Sequence, residues 1–221
     1  HRDLHSFPTR RSSDLYDIEE YTYGGELIQE DAQPGDYRFV NQNDDAKIDN
    51  NDKVNLGSPI PSLTYGFNAS LAYKGFDIQI FFQGVYGNKI FNCNKYFTEG
   101  DGKYNLDTKM LNAWSGKGTS NTLANPNGSA NNLKASSRYI EDGAYLRLKN
   151  LQIGYTIPKL LSEKVGLYET RIYVAATNLL TFTKYSGFDP EIGVTNGLDM
   201  GVDRGTYPQP RTLTMGVTLK F

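Results

Sequence analysis

Apolar and polar residues alternate without interruption through the last eleven residues of the chain, Arg211–Phe221. One side of this run is apolar and the other is polar or small. The apolar side consists of Leu213, Met215, Val217, Leu219 and Phe221, and the other of Thr212, Thr214, Gly216, Thr218 and Lys220. Successive side chains of a β-strand point to opposite faces, so the run predicts a strand with one apolar face. Its length is close to the roughly 9–11 residues with which a tilted strand crosses a bilayer. Because an uncovered edge invites aggregation, the pattern favours a sheet closed into a β-barrel.

Two further alternating runs lie earlier in the chain. Leu63–Tyr73 and Phe76–Tyr86 alternate in the same way and are separated only by Lys74 and Gly75. A connection this short between two alternating runs predicts a β-hairpin.

Two further segments predict strands. Tyr145–Ile157 alternates but shifts its apolar phase at Lys149 and Asn150, which indicates a β-bulge. Thr170–Phe182 is rich in β-branched and aromatic residues, as strands are. Between the two, Pro158–Leu167 predicts a turn of helix.

The connections between these strands alternate in length. The turn at Lys74 is short, Gly87–Ala144 is long, Pro158–Glu169 is short and Thr183–Pro210 is long. Outer-membrane barrels carry short turns at their periplasmic end and long loops outside the cell. The sequence therefore predicts an all-β fold: antiparallel strands of a transmembrane outer-membrane β-barrel, with long extracellular loops and short periplasmic turns.

Composition excludes several other classes of protein. The chain is 13% aromatic with 16 Tyr, yet its mean hydropathy is only -0.55. No run approaches the roughly 18 apolar residues of a transmembrane helix. A formal net charge of -2 argues against a nucleic-acid partner. Cys93 is the only cysteine, so an internal disulfide and a multi-cysteine zinc site are both excluded.

Catalytic motifs are missing. Both histidines, His1 and His5, lie at the start of the chain, and no G-x-S-x-G, H-E-x-x-H or phosphate-binding glycine motif is present. Two pairs of acids remain that a glycoside hydrolase could use, Glu99 with Asp101 and Asp189 with Glu191. Each pair lies in a polar loop, and we interpret them as solvated loop charges. The sequence predicts no enzyme.

The first fifteen residues, His1–Leu15 (HRDLHSFPTRRSSDL), show neither an apolar core nor alternation. The whole stretch resembles a sequencing-library adapter translated in one reading frame. We therefore expect it to be non-native and the gene to be truncated at its 5′ end.

A metal site is suggested by Asn41–Asp52 (NQNDDAKIDNND), which approximates an EF-hand calcium loop. Oxygen-bearing side chains occupy five ligand positions, and calcium takes six to eight oxygens. These residues are Asn41, Asn43, Asp45, Asp49 and Asp52. The loop departs from the motif because Asn41 stands first, Ala46 replaces glycine and Asp52 is shorter than Glu. The alternative is a solvated acidic turn.

Aromatic residues in the predicted loops have several candidate roles. They can stack on sugar rings, contact a partner protein, pack the loops or form an interfacial aromatic girdle. They are Tyr96, Phe97, Tyr104, Trp114, Tyr139, Tyr185 and Phe188.

Five runs between about Gly35 and Phe221 carry a further signal in their sequences, order and spacing. They are Asp44–Gly57 (DDAKIDNNDKVNLG), Pro61–Asn92 (beginning PSLTYGFNASL), Ser137–Pro158 (SRYIEDGAYLRLKNLQIGYTIP), Arg171–Glu191 (including NLLTFTKYSGFDPE) and the closing strand. Together they resemble the C-terminal barrel segment of the SusC/RagA family of TonB-linked outer-membrane transporters.

The resemblance implies a barrel of about 22 strands with a plugged lumen, of which Tyr16–Phe221 supplies the C-terminal part. It implies that the plug and TonB box lie upstream of this segment and couple transport to TonB, ExbB and ExbD. It also implies a SusD-like surface lipoprotein as partner, outer-membrane lipid around the barrel, and barrel assembly machinery that recognises the terminal aromatic Phe221. The expected function is import of oligosaccharide or peptide into a Gram-negative cell, with oligosaccharide favoured on family grounds.

Two rival interpretations make different structural predictions. A secreted, soluble β-sandwich that binds glycans would bury Tyr65, Phe67 and Ile80 beneath a second sheet. A β-rich glycoside hydrolase would contain a buried pair of catalytic acids.

Overall fold

The computed structural model describes residues 21–100, 104–192 and 199–221, together with the backbone of residues 5 and 6. The strands are β1 (His5–Ser6), β2 (Thr22–Tyr23), β3 (Glu26–Leu27), β4 (Val54–Asn55), β5 (Leu63–Tyr73), β6 (Phe76–Tyr86), β7 (Lys89–Asn92), β8 (Ile140–Asp142), β9 (Tyr145–Thr156), β10 (Glu169–Thr183), β11 (Val202–Asp203) and β12 (Thr212–Lys220). The helices are α1 (Cys93–Glu99) and α2 (Lys159–Ser162), and 3₁₀ turns lie at Asn50–Asp52, Thr108–Asn112, Ala130–Leu133, Ser137–Tyr139 and Glu163–Val165. No helix within these ranges is long and apolar enough to span a membrane.

Five long strands form one antiparallel sheet in the order β12-β10-β9-β6-β5. The predicted strands are confirmed: β5 and β6 have the predicted bounds, and β9 ends one residue early, at Thr156. Helix α2 lies in the segment where a helical turn was predicted. Successive long strands are neighbours in the sheet, so the chain runs up and down through it.

The predicted β-bulge is also present. Asn150 pairs with Phe81, and Leu148 pairs with the residue after Phe81, so Lys149 has no partner on the β6 side. The register of β10 shifts at the same level, where Asn178 has a positive φ of 52°. Because the extra residue resets the alternation, apolar side chains stay on one face on both sides of the bulge.

One face of this sheet, the apolar face, is uncovered. Phe67 is 62% exposed, Val217 is 59% exposed and the terminal Phe221 is 94% exposed, while Ile80 is half-buried between its neighbours. The β-sandwich interpretation requires a second sheet over this face, and the described residues supply none. The opposite, polar face carries Asn, Gln, Thr and charged side chains.

The long connections fold together at one end of the sheet, the long-loop end. Strands β11, β7 and β8 form a small sheet from two different connections. The segment before β5 packs on the first long connection, since the Tyr37 hydroxyl accepts a hydrogen bond from the Ala124 amide at 3.1 Å and Trp114 packs against both residues. The buried core therefore lies at the long-loop end. The opposite, short-turn end carries the turn at Lys74 and helix α2.

Candidate functional site: the polar face and the long-loop end

The middle of the polar face is lined by amide and hydroxyl side chains from neighbouring strands. They lie around an open concavity of about 430 Å³ at the level of the bulge. Its lining includes Asn68, Gln79, Asn150, Gln152 and Thr177. Amide side chains both donate and accept hydrogen bonds, so this surface can contact an uncharged polar chain.

Charged side chains flank this uncharged band on the polar face. Toward the short-turn end, Arg171 of β10 donates two hydrogen bonds to Asp77 of β6, at 3.0 Å from Nε and 2.6 Å from Nη2. Strand β9 lies between the two, and its Gly154 sits beneath the pair. A Cβ at this position would lie 2.4 Å from Nη2 of Arg171, so only glycine leaves the pair undisturbed.

Toward the long-loop end, Arg147 of β9 binds side chains of the last long connection, Thr183–Pro210, and so holds that connection against the sheet. Its Nη2 donates to Asp189 at 2.5 Å and its Nη1 to Glu191 at 2.7 Å, while Nε donates to Thr181 at 2.9 Å. Lys149 adds a second cation to Glu191 at 2.8 Å. Arg147 and Asp189 are almost fully buried, so each depends on the other for its charge.

The two long connections are also tied together by Glu141. Its Oε2 accepts a hydrogen bond from the Ser186 amide and its Oε1 one from the Ser186 hydroxyl, both at 2.8 Å. The Asn92 amide donates to it at 3.3 Å. Burial acts to raise the pKa of Glu141, but the hydrogen bonds from Ser186 and the nearby Lys95 outweigh it and lower the pKa below the ordinary value.

Tyr185 makes a second tie at the base of the last connection. Its hydroxyl donates to Asp203 at 2.6 Å. Asp203 is fully buried and also accepts the amides of Gly205 and Thr206. Burial of the ring, followed by the hydrogen bond to Asp203, raises the pKa of Tyr185 well above its usual range.

Two of the acids interpreted as solvated loop charges, Glu99 and Asp189, are buried, so that interpretation is wrong for them. Glu99 is 3% exposed, forms an ion pair with Arg138 and lies 2.5 Å from the Lys109 ammonium. Asp189 is 4% exposed and is bound to Arg147. Both carboxylates are neutralised by partners distant in sequence, which the local composition could not show. Asp101, the other half of the first pair, lies outside the described residues.

Most loop aromatics pack the loops. Tyr139 is fully buried, and Tyr96 contacts it with ring centroids 5.3 Å apart. Tyr185 and Trp114 make the packing and hydrogen-bond contacts already described. Phe188 is 70% exposed, Tyr104 58% and Phe97 41%, so these three remain accessible to a ligand.

Phe188 borders a cavity of about 200 Å³ between the two long connections. The rest of the lining is polar and charged, and includes Asn92, Lys95, Asp107 and Lys109. An exposed ring beside amide, ammonium and carboxylate groups can stack on a ligand and bind its hydroxyl groups.

In the Asn41–Asp52 loop, the oxygen-bearing side chains bond mainly to the loop itself. Asp52 is fully buried and accepts the amides of Gln42 and Asp49, each at 2.7 Å. Asp45 accepts the Lys47 amide, and Asp49 pairs with the Lys47 ammonium at 3.0 Å. No group of three or more His, Cys, Asp or Glu within the described ranges could hold a metal ion. Calcium binding stays a prediction, as does recognition of Phe221 by assembly machinery.

The sequence interpretation missed Asp77, Arg171 and Arg147. A signal was present, since each is a charged residue at a polar position of an alternating strand. The pattern places such a residue on the polar face, but it does not identify the partner, because the partner depends on strand order.

Comparison with known proteins gave no matching family model. Among curated proteins, TonB-dependent receptor P3 of Formosa agariphila is 38% identical over 213 residues, which cover 94% of this chain and 21% of that receptor. TonB-dependent receptor SusC of Bacteroides thetaiotaomicron is 26% identical over 202 residues, covering 89% of this chain and 19% of SusC. The chain therefore spans about a fifth of the length of these relatives.

Comparison with solved structures points to the same class of protein. A structure of the RagAB peptide transporter superposes with a TM-score of 0.77 at 25% identity, covering 99% of this chain and 22% of the matched chain. The RagAB peptide importer in its open-open state gives a TM-score of 0.73 at 26% identity, with 98% and 22% covered. The resemblance read from the sequence is confirmed, and so are the antiparallel β-strands of a barrel transporter. The chain is a SusC/RagA-like segment of a TonB-dependent receptor.

Proposed function

We propose that this chain forms part of the wall and of the extracellular gate of a nutrient importer in the outer membrane of a Gram-negative cell, without catalysis of its own. The observation that carries the proposal is the long antiparallel sheet with one exposed apolar face and one polar face. A sheet of this kind is stable where lipid covers the apolar face and a polar interior meets the other.

On this proposal the short-turn end lies in the periplasm and the long-loop end outside the cell. The interlocked connections at the long-loop end would meet a SusD-like lipoprotein. Energy coupling through TonB, ExbB and ExbD would act on a plug outside this segment. Barrel assembly machinery would engage β12 and Phe221, the residue that follows it.

For the substrate we propose an oligosaccharide. Its support is the cavity of about 200 Å³ at the long-loop end, in which the exposed Phe188 ring faces polar side chains. Peptide import is the second candidate, because the similar RagAB structures are of a peptide importer.

Calorimetric titration of the full-length receptor, together with its lipoprotein, against oligosaccharides and peptides tests both candidates. We expect Phe188→Ala to weaken oligosaccharide binding about 5- to 10-fold, since an aromatic contact contributes about 1 kcal/mol. Tyr207→Ala is the matched control, because Tyr207 is an 85% exposed loop aromatic that does not line the cavity. Peptide binding without oligosaccharide binding would overturn the substrate proposal, and binding of neither class would overturn the importer.

A further inference from the structure

Two lysine–tyrosine pairs lie at the short-turn end of the apolar face. We propose that they bind the phosphate headgroups of anionic phospholipids in the periplasmic leaflet of the outer membrane. The inference rests on the proposed function for the orientation of the barrel, and it adds a specific lipid site that import alone does not require.

The first pair lies in the turn between β5 and β6. The ammonium of Lys74 is 5.2 Å from the centroid of the Tyr73 ring. Tyr73 is 66% exposed. It lies two residues after Leu71 in the same strand, so both side chains are on the apolar face. Lys74 adopts a positive φ of 47° in this tight turn.

The second pair lies at the other short turn. The ammonium of Lys159, the first residue of α2, is 4.7 Å from the centroid of the Tyr168 ring. Tyr168 is 59% exposed and immediately precedes β10, whose Ile172 belongs to the apolar face. Its amide donates to the carbonyl of Lys220 at 2.7 Å, which fixes the tyrosine beside the end of β12.

Aromatic side chains connect the first pair to the neighbouring strands. Tyr73 pairs in register with Phe76, which in turn pairs with Tyr155 of β9. The rings of Phe76 and Tyr155 are 4.5 Å apart. The first pair is therefore continuous with the apolar face that the proposed function places in lipid, at the level where aromatic belts meet headgroups.

Lys74 and Lys159 are the cations of the two pairs, whereas the neighbouring Lys220 is held by Glu169 at 2.8 Å. Lys74 forms no ion pair with a carboxylate among the described residues. Lys159 pairs with Glu163 at 3.5 Å, but both side chains are more than half exposed, so the pair is weak and exchangeable. An ammonium next to a tyrosine ring at a lipid surface presents a point charge to a phosphodiester. Zwitterionic lipids carry a compensating cation, so the site is expected to select anionic headgroups.

Native mass spectrometry of the detergent-solubilised full-length receptor, mixed with equal amounts of phosphatidylglycerol and phosphatidylcholine, tests this proposal. We expect the wild-type receptor to retain phosphatidylglycerol preferentially. Lys74→Gln and Lys159→Gln should each reduce that preference about fivefold. Lys74→Arg and Lys159→Arg keep the charge and should retain the preference, which separates charge from folding defects.

Lys47→Gln and Lys184→Gln are the controls, because both lysines are exposed and lie at the long-loop end. Equal retention of the two lipids by the wild type would overturn the proposal, and so would an unchanged preference in the Gln variants or an equal loss in the controls. Substrate titration of the same samples reports on the importer separately: a receptor that keeps its lipid preference but binds no nutrient contradicts only the proposed function.

Discussion

Asp77 and Arg171 form an ion pair across a strand to which neither belongs. Asp77 lies on β6 and Arg171 on β10, and Gly154 of the intervening β9 lies beneath their side chains. The pair thus couples the register of three strands on the polar face. A slip of one residue in any of them would turn a charge toward the apolar face, which is costly in lipid.

Gly154→Ala is predicted to break this pair. The new Cβ would lie 2.4 Å from Nη2 of Arg171 and 2.5 Å from Oδ1 of Asp77, and both are movable ends of side chains. The side chains therefore separate while the backbone stays in place. The expected loss is about 1 kcal/mol of unfolding free energy, the value of a partly exposed charge pair. Urea unfolding of the reconstituted receptor measures it.

A double-mutant cycle checks the mechanism. In an Asp77→Asn background the cost of Gly154→Ala should largely vanish, because the ion pair is already lost. Gly66→Ala is the control, since its Cβ would meet the nearest atom at an ordinary 3.4 Å. An undiminished cost in the Asp77→Asn background would mean that Gly154 acts through the backbone.

Arg147→Met is predicted to release the last long connection. It leaves the Asp189 carboxylate, with a side chain 5% exposed, without its cation. Loss of one partner of a buried pair costs about 3–5 kcal/mol, so the connection should detach locally before the sheet unfolds. Limited trypsin digestion, read by cleavage after Lys184, should become much faster.

Lys149→Met provides the comparison, because Lys149 binds the more exposed Glu191 and Arg147 still neutralises that carboxylate. We expect little change in cleavage for this variant. Equal cleavage of the two variants would show that overall cation loss, rather than the Arg147–Asp189 pair, controls the connection.

The sequence was sufficient to predict the long strands, but not the ion pairs and loop contacts that connect one strand or loop to another. The bounds of β5 and β6, and the bulge at Lys149, follow from a two-residue period that is fully local. Arg171 and Asp77 are 94 residues apart and Arg147 and Asp189 are 42 apart, so their pairing depends on strand order and loop folding. Burial of Glu99 was missed for the same reason. The contact of Tyr37 with Ala124, 87 residues away, left no periodic signal.

Tyr185→Phe is predicted to loosen the long-loop end at neutral pH. It removes the hydroxyl that donates to Oδ2 of the buried Asp203 and leaves that oxygen only a long hydrogen bond of 3.5 Å from the Asn94 amide. The expected cost is about 1 kcal/mol. The folded-state pKa of Tyr185 is raised above the ordinary 10.0. The stabilisation is therefore complete below pH 10 and declines as the pH rises through the folded-state pKa.

Hydrogen exchange of residues 199–211 and tyrosinate absorbance across an alkaline titration report this behaviour. The wild-type-minus-variant difference in absorbance should show no ionisation of Tyr185 until above pH 10. A Tyr185 that ionises below pH 10 would contradict the hydrogen bond as the cause.

Phe67 and Asn68 are consecutive residues of β5 on opposite faces, which gives a direct test of the membrane-embedded sheet. Arginine at Phe67 would place a charge on the apolar face near the middle of the strand. The expected cost is about 2–4 kcal/mol if lipid covers this face. Arginine at Asn68 would enter the polar face beside Gln79 and should cost about 1 kcal/mol or less. Folding of the full-length receptor into vesicles, followed by urea titration, measures both. A soluble protein would tolerate Phe67→Arg at a 62% exposed site, so near-equal stability of the two variants would contradict burial of this face in lipid.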